Sequence, residues 1–188
     1  SIIHVPAVGN FEIGILYIPL FILVIISTAN AVNITDGLDG LSGGLLATAF
    51  GAFAIIAIVQ GNIGLAAFCG AVVGAVLSYT WFNIFPARFF MGDSGSFALG
   101  TALGVVAMLT NSVFVLPIIG AVFVAEAGSS VIQIFSKKVF KRKIFLSAPF
   151  HHHLEAIGWP ETKVTMRLWI IGAVCGVLGM IIGLIARG

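Results

Sequence analysis

Six apolar runs, most of them long enough to cross a bilayer, constrain what this chain can fold into more than any other feature. They lie at residues 13–32, 41–59, 63–82, 97–109, 113–135 and 166–186. A bilayer core needs about 20 apolar residues per helix. The fourth run is short and must borrow from 91–96 or from Thr110 and Asn111. Strands of a membrane barrel would be about 10 residues long and alternating, and none of these runs alternates. Charged residues make up 9% of the chain and hydrophobic ones 60%, where a soluble domain carries about a quarter charged. The 23 glycines fit the same class, because small residues let helices approach where water supplies no driving force. The chain therefore reads as an all-α, polytopic membrane bundle of six spans, one transmembrane domain over residues 1–188. Cys69 and Cys175 lie inside apolar runs and read as packing residues rather than a disulfide or metal pair. Ser1 is not an initiator methionine and the first ten residues read as a loop tail. The chain is expected to begin inside a longer protein.

The loops between the runs alternate in content. The second (60–62) and fourth (110–112) are minimal turns. The first, third and fifth, at 33–40, 83–96 and 136–165, carry nearly everything polar. Arg88, Lys137, Lys138, Lys141, Arg142, Lys143, Lys163 and Arg167 fall on that side or at its edge, and only Arg187 falls on the other. The positive-inside rule makes the odd-loop side cytoplasmic and both chain ends external. The net charge of +2 says little about partners, and no nucleic-acid partner is expected.

The first loop reads Asn30-Ala-Val-Asn33-Ile-Thr-Asp36-Gly37-Leu38-Asp39-Gly40. Two carboxylates three residues apart can share one face of a helical turn. The plainer alternative is a polar turn, with Asp39 or Ser42 capping the next helix. The spacing is not that of an EF-hand. The third loop runs from Trp81-Phe82-Asn83 through Pro86, Arg88, Phe89 and Phe90 to Met91-Gly92-Asp93-Ser94-Gly95-Ser96. Pro86 should stop the incoming helix. The next helix begins among small residues, and its free N–H groups suit an anion. Asp93 there can hold a metal that bridges the anion, or it can simply cap the helix. Phe85, Phe89 and Phe90 read first as an interfacial aromatic belt.

The fifth loop opens with Lys137-Lys138 and Lys141-Arg142-Lys143, which suits anionic lipid at about 1 kcal/mol per basic residue. Ala148-Pro-Phe-His151-His152-His153-Leu-Glu155 and Gly158-Trp159-Pro-Glu161 follow. Histidines can act as acid, base or ligand near neutral pH. Three in a row on one helix point in different directions, so they are unsuited to sharing one ion. Glu126 lies inside the fifth run. An ionisable group at that depth is either functional or a protonated packing residue, and both readings stand.

Together these three motifs resemble the phospho-N-acetylmuramoyl-pentapeptide transferase family, over nearly the whole chain and in order. The resemblance implies a ten-helix family fold, of which these would be the last six helices. It also implies a multi-pass protein of the bacterial inner membrane with a cytoplasmic cleft. It implies a Mg²⁺-dependent transfer of phospho-MurNAc-pentapeptide from UDP to undecaprenyl phosphate, releasing UMP and forming lipid I. The substrates would be UDP-MurNAc-pentapeptide and undecaprenyl phosphate, with membrane lipid around them and room for a homodimer. Carried over by residue, Asp93 matches the Mg²⁺-binding aspartate. Asn33, Asp36 and Asp39 match polar residues of the catalytic cleft. Gly37, Leu38, Asn83 and Phe90 match the uridine pocket, with Phe90 against the uracil. Gln133 matches a polar residue near the nucleotide. His151 and His152 match histidines contacting phosphate or sugar, with His153 beside them.

The chain also departs from that family. An adjacent pair of aspartates is expected on earlier helices, and no Asp-Asp occurs here. This polypeptide alone is therefore expected to be incomplete for turnover. Arg88 stands where a neutral glutamine is usual, and Ala127 where a threonine commonly follows the glutamate. Two other readings compete: a polyprenyl-phosphate GlcNAc-1-phosphate transferase, and an inactive binding or scaffold fragment.

Overall fold

The computed structural model describes residues 2–6 and 8–185; the end of the sixth run and Arg187 lie outside the described residues. Five helices are long and apolar enough to cross a membrane. They are α1 (Tyr17–Thr35, entered through a 3-10 turn at Gly14–Leu16), α2 (Leu41–Val59), α3 (Ile63–Asn83), α4 (Gly92–Leu109) and α8 (Glu161–Ile185). The second run coincides with α2. The fourth borrows from its N-terminal side, as its shortness required, so α4 takes in Asp93.

The fifth run is not one continuous helix. A four-residue helix, α5 (Leu116–Ile119), gives way at Gly120 to α6 (Ala121–Val139). Gly120, at φ −96° and ψ 30°, interrupts the helical path. Helix α6 then runs past the apolar stretch and ends on Lys137 and Lys138. Its polarity is reversed: Glu126, Ser129, Gln133 and Ser136 face inward, while Val124, Val131, Ile132 and Phe135 are exposed. Polar groups turned inward are the arrangement that lipid enforces. The loop tail expected at the start is a hairpin, β1 (Ile2–Val5) against β2 (Gly9–Glu12), with Ile2 opposite Glu12. The long fifth loop holds α7 (Phe150–Ala156), and α8 begins five residues before the apolar run does.

Helix α2 is the centre of the bundle. Leu41, Leu46, Phe50, Phe53 and Ile56 are fully buried, between α3 and α8. Side chains and glycines interlock between α2 and α8. A Cβ on Gly44 of α2 would lie 2.2 Å from the Trp169 indole of α8. In the other direction, Cβ atoms on Gly172 and Gly176 of α8 would lie 2.4 Å from Leu45 and 2.8 Å from Thr48. Helices α1 and α4 meet the same way: a Cβ on Gly100 would lie 2.7 Å from the Ala29 backbone. Without a hydrophobic driving force, such close packing is what holds membrane helices together. Both cysteines are free.

Two ends result. At one, Gln60 of the second loop donates to the Thr110 carbonyl of the fourth at 3.0 Å. The hairpin joins them, His4 N–H donating to the Asn111 side chain at 2.9 Å. At the other end the first, third and fifth loops meet.

Candidate active site

The first loop leaves α1 at Asp36, its C-cap, and enters α2 through Gly40. Gly40 has φ +75°, a left-handed conformation that favours glycine. Neither Asp39 nor Ser42 caps α2, since its N-cap makes no side-chain bond. Asp39 instead ties three segments together. Its N–H donates to Glu161 Oε1 of α8 at 2.8 Å, and its Oδ2 accepts from the Ala87 N–H of the third loop at 2.9 Å. Its carbonyl accepts from the Thr165 hydroxyl at 3.3 Å. Trp169 Nε1 donates to the Gly40 carbonyl at 3.1 Å.

Asn33, one turn before the end of α1, points at the start of α4. Its Nδ2 donates to Asp93 Oδ1 at 2.9 Å and to Ser96 Oγ at 3.0 Å. Asp93 therefore does not cap α4, whose N-cap is Met91. Asp36 lies nearby and accepts a short hydrogen bond from the Ser42 hydroxyl. Burial pushes the Asp36 carboxyl above its ordinary range; the Ser42 bond opposes this, and the charge of Asp93 adds to it. The charge of Asp93, in the first turn of α4, is thus felt at Asp36, just beyond the end of α1. Among the described residues no cluster of three or more His, Cys, Asp or Glu side chains could hold a metal. Two carboxylates do fit Mg²⁺, which usually keeps several waters and takes one or two carboxylates plus substrate phosphates.

The remaining predicted residues divide by what they touch. Asn83 is buried and committed at both ends, accepting from Gly40 N–H at 2.9 Å and donating to the Phe89 carbonyl at 2.9 Å. Leu38 of the first loop is buried. Phe90 is 73% exposed, while Phe89 stacks on Phe82 at 5.8 Å and meets Tyr79 at 5.7 Å. Phe89 is thus engaged by other rings, while Phe90, which the resemblance set apart from the aromatic belt, stands exposed. Gln133 of α6 closes the fifth loop on itself. Its Oε1 accepts from Ile144 and Phe145 N–H at 3.0 and 3.1 Å, and its Nε2 donates to the Phe145 carbonyl at 2.8 Å.

The histidines diverge, as three consecutive helical residues must. His151 is fully buried, its Nδ1 2.9 Å from Glu126 Oε2. His152 is half exposed and pairs with Glu155 at 2.7 Å. His153 accepts from Leu146 N–H at 3.3 Å and packs on Phe145. His151 reaches the first loop: a Cβ on Gly37 would lie 2.5 Å from its Nε2. Glu161, Ser42 and Ser96 were not singled out as site residues in the sequence. Glu161 had a signal in the Gly-Trp-Pro-Glu segment, whereas the two serines had none beyond their place near an aspartate.

Below this polar end an apolar cavity of about 390 Å³ opens between α1, α4, α5 and α6. Val24, Ala31, Leu103, Leu116, Phe123 and Val131 are among its walls.

Residues 1–111 match the family model described as glycosyl transferase family 4. The chain is 50% identical over 174 residues to a phospho-N-acetylmuramoyl-pentapeptide-transferase of Bacillus mycoides, which is 93% of this chain and 54% of that protein. It is 49% identical over the same length to proteins of that name from Bacillus thuringiensis and Bacillus cereus. The chain spans about half the length of these relatives.

Proposed function

We propose that this chain, which belongs to glycosyl transferase family 4, forms the nucleotide-facing part of a multi-pass phospho-sugar transferase of the bacterial membrane. The reaction would move phospho-MurNAc-pentapeptide from UDP to undecaprenyl phosphate, giving lipid I and UMP. One observation carries the reading: Asn33, Asp36 and Asp93 converge from α1 and α4 at the polar end of a bundle with an apolar cavity. The names of the Bacillus relatives support the substrate class.

In that reaction an oxygen of the lipid phosphate forms a bond to the sugar-bearing phosphorus of the donor. The bond from that phosphorus to the UMP oxygen breaks, and UMP leaves with the electron pair. Several negative charges meet, so bare carboxylates would oppose the approach. Mg²⁺, held by Asp93 with Asp36 beside it, would supply the positive charge that stabilises the meeting phosphates.

The chain's own groups do the rest. Asn33 holds the Asp93 carboxylate in place. The exposed Phe90 ring takes the uracil, with Gly37, Leu38, Asp39 and Asn83 shaping the loop around it. Gln133 fixes the segment leading to α7, where His151 and His152 serve phosphate or sugar, with His153 beside them. The cavity between α1 and α6 lets a polyprenyl tail remain in apolar surroundings. The polar end faces the cytoplasm in this reading. A homodimer belongs to it as well, to be checked by mass measurement in detergent.

The test is calorimetry of UMP with Mg²⁺ on the chain, against Asp93→Asn and Phe90→Ala. Both variants should weaken binding at least tenfold; binding indifferent to both would reject the site. Binding of UDP-MurNAc-pentapeptide and of UDP-GlcNAc, measured side by side, separates this reading from a GlcNAc-1-phosphate transferase, which would favour the second.

A further inference from the structure

We propose that Glu126 is a positioning residue for His151, holding the ring so that Nε2 keeps a hydrogen beside Gly37, ready for a substrate phosphate oxygen when the first loop shifts to admit one. This deepens the function proposed above and rests on it. Both side chains are fully buried, and they come from different helices, α6 and α7.

Glu126 Oε2 takes two contacts. The His151 backbone N–H donates to it at 3.2 Å, and His151 Nδ1 lies 2.9 Å away. The first-turn N–H groups of a helix have no partner within it. Glu126 satisfies one of them from α6, which fixes where α7 starts. The ring contact then fixes the rotation of the imidazole.

Charge balance decides where the protons sit. A net charge buried in this setting is costly unless paired. The pair is neutral when one proton is shared between Oε2 and Nδ1, as carboxylate and imidazolium or as acid and imidazole. In both forms Nε2 carries a hydrogen. Placing the acid proton on Oε1 would bury an O–H without a partner, since Oε1 has none among the described residues. It would also give up the charge-assisted bond.

Nε2 is itself buried and without a partner among the described residues. It lies where a Cβ on Gly37 would come within 2.5 Å, so only glycine leaves the ring this position. Gly37 directly follows Asp36, which feels the charge of Asp93. The donor is therefore closed off by the first loop in this structure, and a phosphate oxygen completes its bond only when Gly37 shifts aside.

Histidine-selective ¹⁵N spectra of the chain in nanodiscs read the tautomer directly, with His151 assigned by its loss in His151→Gln. Nε2 of His151 should be protonated in the wild type. In Glu126→Gln, an uncharged amide oxygen accepts both N–H groups, and Nε2 should lose its hydrogen. UDP with Mg²⁺ should then bind about tenfold more weakly, while free uridine binds unchanged. An unprotonated Nε2 in the wild type overturns the proposal even if UDP binds. Equal losses for UDP and uridine overturn it too, because a merely structural role would act on both. A protonated Nε2 in a wild-type chain that binds neither compound rejects the functional reading instead, and leaves the Glu126–His151 geometry standing. If Glu126→Gln does not fold, the wild-type spectrum still decides.

Discussion

The side-chain amide of Asn33 donates to the Asp93 carboxylate at 2.9 Å, joining α1 to α4 across 60 residues of sequence. A hydrogen bond to a charged group contributes about 1.5–3 kcal/mol. Asn33→Ala should therefore loosen Asp93 and weaken Mg²⁺-dependent UDP binding tenfold or more, measured by calorimetry. Asn33→Asp should be worse, because it replaces the donor with a third carboxylate facing Asp36 and Asp93.

Asp36 gives the chain a pH signature. Its folded-state value is raised, by burial first and by the Asp93 charge as well. Folding therefore favours the protonated form. The stability Asp36 contributes is present below its unfolded value of about 4 and is lost as pH rises through the higher folded value. Asp36→Asn should melt at pH 7 no lower than the wild type, and the wild type should gain on the variant as pH falls from 7 towards 4. Mg²⁺ should raise the wild-type melting temperature and leave the variant's unchanged. Thermal scans in detergent at several pH values check all three outcomes.

Gly44→Ala would drive a methyl group into Trp169, 2.2 Å from its ring. Either the indole moves and loses its bond to the Gly40 carbonyl, or α2 and α8 separate. Overpacking of this kind costs about 1–3 kcal/mol. The melting temperature should fall, and Trp169→Phe in the same background should recover part of the loss.

Gln133→Leu should leave α6 intact and release the segment it holds. The N–H groups of Ile144 and Phe145 would lose their acceptor. Hydrogen exchange should accelerate across residues 142–147 and stay unchanged in α2.

The sequence disclosed these features unevenly, for physical reasons. Helix α2 was legible to the residue, because an unbroken apolar run begins after Gly40 and ends before Gln60. The gathering of the three polar loops at one end followed from counting turns, and Asp39 now shows the contacts that join them. The fifth run hid its break at Gly120 and its sidedness, because hydropathy averages over direction. It registers the apolar outer face of α6 but cannot see that Glu126, Ser129 and Gln133 share the inner one. Glu126 remained undecided until α7 brought His151 to it, a contact 25 residues away that no local pattern encodes. Composition alone did not separate Phe89 from Phe90; only the resemblance set Phe90 apart. Tertiary packing sends Phe89 onto Phe82 and Tyr79 and leaves Phe90 outside.

The interlocking of α2 and α8 bears on where the proposed reaction would take place. Trp169 fits over Gly44 near one end, while Leu45 and Thr48 fit over Gly172 and Gly176 further along. Notches cut in both helices, with projections running both ways, allow one alignment and resist sliding by a residue. The Asp39 loop tops α2, and Glu161, which holds it, opens α8. The two helices therefore act as a ruler. They set the height at which the polar end stands above the bilayer centre, and with it the depth at which a lipid-borne phosphate would have to present itself.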